Sequence, residues 1–229
     1  MTAPTTVVYG KHPAYGDFLA HGMEHDFLSH FDKWLEGILP NLKKGLGDAW
    51  EAAWASAPPL SFWIGPDVIG APLMGLFLPS QDKVGRRFPL IFGLTGVVTP
   101  PPLHPAHDEG PYRALATHIS QFQVPNDGTR GVATLIEGFQ PPALQGVEFE
   151  PGQDGALWGH RDDGDLPRLF ADALSADADK AQLARTHWWH EALPTRSAGW
   201  LGANGLPDLT GMRWLLTERG REARDSENE

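Results

Sequence analysis

GLFLPSQDKVGRRFPLIFGL, residues 75–94, opens with an apolar run (Leu76, Phe77, Leu78) and passes into a polar turn, Pro79-Ser80-Gln81-Asp82-Lys83. A basic pair, Arg86-Arg87, follows Gly85, and the stretch closes on a second apolar run, Phe88 to Phe92. Two apolar runs around Ser, Asp, Gly and Arg place a charged loop between buried elements, where a binding or regulatory surface is held on a rigid support. The second run reads as a strand from Leu90 to Val98, stopped by Pro100-Pro101-Pro102.

Upstream, Thr5 to Tyr9 is β-branched and aromatic and ends at Gly10, the pattern of a first strand. The loop that follows, GKHPAYGDFL at 10–19, does not fit a phosphate loop, because Lys11 stands directly after the first glycine and no Ser or Thr follows it. As a turn it is coherent: Gly10 and Gly16 permit positive φ, Pro13 sets a bend and Asp17 can accept backbone N–H groups. Apolar residues at helical spacing predict a helix from Asp26 to Leu39, ended near Gly37 to Pro40, and a second from Leu42 to Ala55, stopped by Pro58-Pro59. Leu60 to Ile64 reads as a strand.

Downstream, residues 100–110 are rich in Pro and His and read as a surface loop, and Tyr112 to Phe122 resumes helical spacing. A short helix is predicted near Val132 to Glu137, a strand at 156–159, helices at 166–174 and 178–185, strands at 186–190 and 197–201, and a closing helix from Pro207 to Leu216. The segment 218–229 offers one alanine against a dense run of charge, too little apolar surface to offset its ordering entropy, and is expected to be a disordered tail. Residues 1–217 are expected to form a single α/β domain. Alternating strands and helices predict a layered sheet covered on both faces, a three-layer αβα sandwich with a central mixed sheet.

Composition narrows the chemistry. The chain has 229 residues, a hydrophobic fraction of 41% and no apolar run near the roughly 20 residues of a membrane span. Its N-terminus lacks the pattern of a secretory signal, so a cytoplasmic location is expected. With no cysteine, disulfides, thiolate metal sites and cysteine nucleophiles are excluded. A formal charge of −11 opposes a phosphate backbone, which argues against nucleic acid as partner. Nine tryptophans are expected to lie mostly in the core, some at an interface.

Three constellations bear on function. His21-Gly22-Met23-Glu24-His25 satisfies H-x-x-E-H, in which two imidazoles one helical turn apart share a zinc ion and the glutamate acts as base, so a zinc-dependent hydrolase is the alternative class. Gly22 and the later start of the apolar helix weaken that reading. His104 and His107 belong to the proline loop and are expected to be solvated; His187 and His190 flank Trp188-Trp189 and are expected to be packed or bonded to backbone. The third set is Lys11 and Asp17 in the first loop with Ser80, Asp82, Arg86 and Arg87, beside Lys83, in the second. These charges can close as Asp–Arg pairs that fix the loops, form a recognition patch for a partner protein, or hold an anionic ligand through Lys11 and Arg86.

These residues carry a resemblance. GKHPAYGDF, the segment with Trp34 and Trp50, PPLSFW at 58–63 and above all LPSQDKVGRRFPL at 78–90 resemble the G-K-x-P-x-x-G-D-F and P-S-x-D-x-V-G-R-x-F-P-L patterns of the TagF (ImpM) family, accessory proteins of bacterial type VI secretion systems. HWWHE at 187–191 and GLPD at 205–208 resemble that family's C-terminal signatures. The resemblance implies an α/β three-layer domain in the cytoplasm, without established catalysis, and no cofactor is expected. It further implies a post-translational negative regulator of secretion-system assembly, acting through the forkhead-associated scaffold protein. Gly10, Lys11, Pro13, Gly16, Asp17 and Phe18 match the first motif; Pro79, Ser80, Asp82, Val84, Gly85, Arg86, Phe88, Pro89 and Leu90 match the second. Gln81 departs from the small or β-branched residue commoner there, and Leu60 and Ser61 take the places of a Trp and an Arg.

Overall fold

The computed structural model describes residues 4–96, 98–104, 106–124, 131–142, 178, 181–194 and 196–217, without the side chains of 25–27. The predicted strand 156–159, the helix 166–174 and the tail 218–229 lie outside these residues. Strands β1 (Thr5–Gly10), β2 (Leu19–His21), β3 (Leu60–Ile64), β4 (Leu73–Leu78), β5 (Leu90–Thr95), β6 (Arg185–His190) and β7 (Gly199–Asn204) form one open sheet in the order β2-β1-β5-β4-β3-β6-β7. Every pairing in it is antiparallel, which corrects the expected mixed sheet. The connections account for this. Strands β3 and β4 are joined by the single-turn α3 (Pro66–Ile69), β4 and β5 by residues 79–89 and β6 and β7 by 191–198; none carries the long helical crossover that a parallel neighbour requires.

The pleat sorts the core onto two faces. Val7, Tyr9, Phe62, Ile64, Phe77, Ile91 and Trp188 join one cluster with α1 (His25–Leu46), α2 (Trp50–Ser56) and α6 (Leu209–Thr217). Their neighbours Val8, Trp63, Met74, Leu76, Leu90 and Phe92 join the other, with Tyr15, α4 (Gly110–Gln121) and α5 (Val132–Ile136). Of the tryptophans, Trp50, Trp54, Trp63 and Trp188 are buried, while Trp200 is exposed on β7.

Helix α1 runs through Pro40 instead of ending before it. Phe31, Leu35, Ile38 and Leu42 are buried at helical spacing across the proline, and Leu46 packs against the same cluster. An internal proline costs about 3 kcal/mol, whereas burying Leu42 is worth roughly 1.5–3 kcal/mol and the partly buried Leu46 adds to it, so the stripe carries the helix past it. Gly47, at φ 52°, ends α1, and a 3-10 turn (Gly47–Ala49) leads into α2, so the predicted second helix is divided. Strand β5 ends at Thr95, short of Val98. Residues 181–183 are helical as expected of 178–185, but Arg185 already belongs to β6.

Candidate functional site

Residues 79–89 form the tip of the β4–β5 hairpin. Pairing continues past Leu78 and Leu90 through a bridge between Gln81 and Arg87, and Asp82 N donates to Arg86 O at 3.1 Å. The chain then reverses over Asp82-Lys83-Val84-Gly85, with Gly85 N donating to Asp82 O at 2.9 Å and Gly85 at φ 87°. Asp in the first place and Gly in the last suit this turn, since the carboxylate bonds the backbone ahead of it and only glycine takes left-handed φ without strain.

Loop 10–18 is brought to this tip by strand register. Gly10 stands opposite Leu90, and Lys11 N donates to Pro89 O at 3.2 Å. A Cβ on Gly10 would lie 1.9 Å from Pro89 O, so the approach requires glycine. Lys83 N donates to Tyr15 O at 2.8 Å, and the Arg86 guanidinium to Gly16 O at 3.3 Å.

Asp82 is the centre of the contact, with 1% of its surface exposed. Its Oδ1 accepts from Val84 N at 3.1 Å and Arg86 N at 2.9 Å; its Oδ2 accepts from Arg86 Nε at 2.5 Å and pairs with Lys11 Nζ at 3.1 Å. Burial by itself would raise the Asp82 pKa. The Arg86 backbone N–H, the Arg86 guanidinium and the Lys11 ammonium outweigh it and hold the carboxyl well below the usual carboxylate range. A carboxylate with its acceptor positions filled in this way is a clasp rather than a proton carrier.

The remaining expected residues lie apart from that centre. Arg87 turns toward α2, where Nε and Nη2 meet Glu51 Oε2 at 2.8 and 2.7 Å, and Nη1 donates to the Gln81 side-chain oxygen. Gln81, the departure within the second motif, thus orients Arg87. Ser80 acts through its backbone: its carbonyl accepts from Trp54 Nε1 at 2.8 Å and Phe88 N at 3.1 Å. Asp17 is exposed and stands outside the Asp82 cluster. The sequence reading missed Glu51 and Trp54, which approach from α2 with no mark in either motif. It counted Phe18 and Val84 as motif matches but not among the site residues, although their apolar side chains project from polar turns.

The H-x-x-E-H segment crosses three kinds of backbone. His21 ends β2, Gly22 turns at φ 74°, Glu24 precedes α1 and His25 begins it, so the two histidines do not stand one helical turn apart. Strand β2 itself was not anticipated there. Among the described residues no three His, Cys, Asp or Glu side chains are grouped so as to hold a metal ion. His107, expected to be solvated, packs against Tyr112 and Trp189, with ring nitrogens 2.8 Å from Pro100 O and 2.9 Å from Glu109 Oε1. His187 is buried: Nε2 donates to Gln182 Oε1 at 2.7 Å and its ring stacks on Trp200. Burial, then Arg185 and His107, lower its pKa to about 4. His190 bonds to the Glu191 carbonyl, as the sequence suggested.

The family described as "TagF N-terminal domain, Type VI secretion system-associated" matches residues 7–121, which include both loops. The chain belongs to the TagF family. Among solved structures it is similar to the crystal structure of PA0076 from Pseudomonas aeruginosa PAO1, with a TM-score of 0.70, 26% identity and coverage of 95% of this chain and 96% of that one. No curated protein sequence matches. The TagF match spans β1 to α4 and stops before β6, β7 and α6, so the clasp lies wholly inside the family's domain. Leu60, in place of the TagF tryptophan, is buried opposite Phe77, and Ser61 lies in register with Leu76 and Trp189.

Proposed function

We propose that this TagF protein is a cytoplasmic accessory factor that restrains type VI secretion after translation by docking on the system's forkhead-associated scaffold protein, without catalysing a reaction. Family membership supplies the link to secretion. The observation that carries the docking reading is the Asp82 clasp, which joins two loops into one preorganised face and leaves Lys83, Asp17 and much of Arg86 at its surface. Surface of this kind, fixed on a rigid sheet end, lowers the ordering cost of gripping a partner. Its Lys11 and Arg86 are already engaged by Asp82, which speaks against an anion sensor at that position. Helices contributing to core clusters on both faces of the sheet support the three-layer arrangement. No helix among the described residues is long and apolar enough to cross a membrane.

The test is capture of the purified scaffold by the immobilised full chain. Lys83→Glu reverses a charge on the face without altering the side chains of the clasp and is expected to weaken capture strongly while leaving the melting curve unchanged; Arg86→Glu is expected to lose both capture and stability. Full capture by a folded Lys83→Glu variant and a folded Arg86→Glu variant would overturn the reading.

A further inference from the structure

Each of the two clasped loops carries an apolar side chain that reaches solvent. Val84 is 73% exposed and Phe18 45% exposed. A β-branched apolar residue serves no local need at a hairpin turn, where Gly, Asn, Asp and Ser supply the conformations. Both residues are held in place. Val84 N is bonded to the buried Asp82 carboxylate, and the Phe18 ring meets Tyr9 and Phe88 edge-on at 4.8 and 5.2 Å between centroids. Exposed side chains on a fixed backbone lose little further freedom when covered, which is how binding anchors work. The charges around them are mainly cationic. Lys83 is exposed, and the Arg86 side chain is 65% exposed although its Nε pairs with Asp82; with Lys11 they set three cations against the carboxylates of Asp82 and Asp17, on a chain whose formal charge is −11.

We infer that Phe18 and Val84 insert into an apolar pocket of a partner protein whose rim carries carboxylates facing Lys83 and Arg86. This rests on the docking function proposed above and names the chemistry of that contact. A protein pocket meets only the cationic tip, whereas an anionic bilayer would confront the negative charge of the whole chain, so the charge balance favours protein over membrane.

The full chain and its Val84→Asp, Lys83→Glu and Leu103→Ser variants, each checked for an unchanged melting curve, are presented to the scaffold and to every other purified soluble component of the same secretion system. One component is expected to bind the parent chain, at least about tenfold more weakly after Val84→Asp or Lys83→Glu and equally well after Leu103→Ser. The parent affinity is expected to fall as salt is raised. If that component is not the scaffold, the anchor stands and the proposed function falls. Equal binding of parent and variants, binding to no component, or a Val84→Asp effect confined to self-association or to vesicles of phosphatidylcholine and phosphatidylglycerol would overturn the inference.

Discussion

Asp82 is a side chain whose ionised form is the structural one. Its folded-state pKa lies below that of a free aspartate, near 3.9, so its contribution is fully present above about pH 4 and is lost as acid protonates it toward the lower folded value. Asp82→Asn is expected to lower the urea midpoint at pH 7 and to flatten the fall in stability below about pH 4; an unchanged acid limb would count against the clasp. His187 acts over a different window. Its pKa is depressed from 6.5 to about 4, so between those values the unfolded chain binds a proton that the folded one refuses, and stability falls as pH drops through that range. The full shift corresponds to roughly 3 kcal/mol at most. His187→Gln, which can still bond Gln182, is expected to reduce the slope between pH 6.5 and 4 in urea titrations.

At the scale of the element, α1 shows where local rules yield to packing. Pro40 marked a helix end in the sequence because it removes a donor and crowds the turn before it. Its position on the exposed side leaves the buried stripe from Phe31 to Leu46 unbroken, and Asn41 Nδ2 donates to Gly37 O at 2.7 Å beside it. Pro40→Ala is therefore expected to stabilise the protein by about 1–3 kcal/mol, read from urea unfolding; a loss of stability would show that the proline is needed for the path of the helix. The β4–β5 hairpin was the opposite case. Its apolar runs and the Asp-to-Gly turn were readable in one pass, because each signal lies within a few residues of what it controls.

Over the whole molecule, legibility followed distance along the chain. Most strands and helices within the described residues could be placed from periodicity, and the motif charges pointed to Lys11, Asp82 and Arg86. The pairing direction of the sheet, the reach of Glu51 and Trp54 from α2, and the separation of Asp17 from the clasp depend on contacts between distant segments, which carry no local signature. Trp188 shows how far the parts depend on one another. From β6, beyond the TagF match, it stacks on Phe62 of β3 at 5.0 Å and meets Trp34 of α1 at 5.6 Å. Trp188→Ala is expected to cost about 3–5 kcal/mol in a single cooperative unfolding transition; two separate transitions in the parent protein would show that the C-terminal strands are an independent appendage.

The closeness of Gly10 to Pro89 and the reach of Arg86 to Gly16, each spanning at least 70 positions of the chain, have a consequence for engineering. A hybrid that takes its first motif from one relative and its second from another joins two half-fitting pieces of a lock. Grafts between relatives succeed only when both halves travel together.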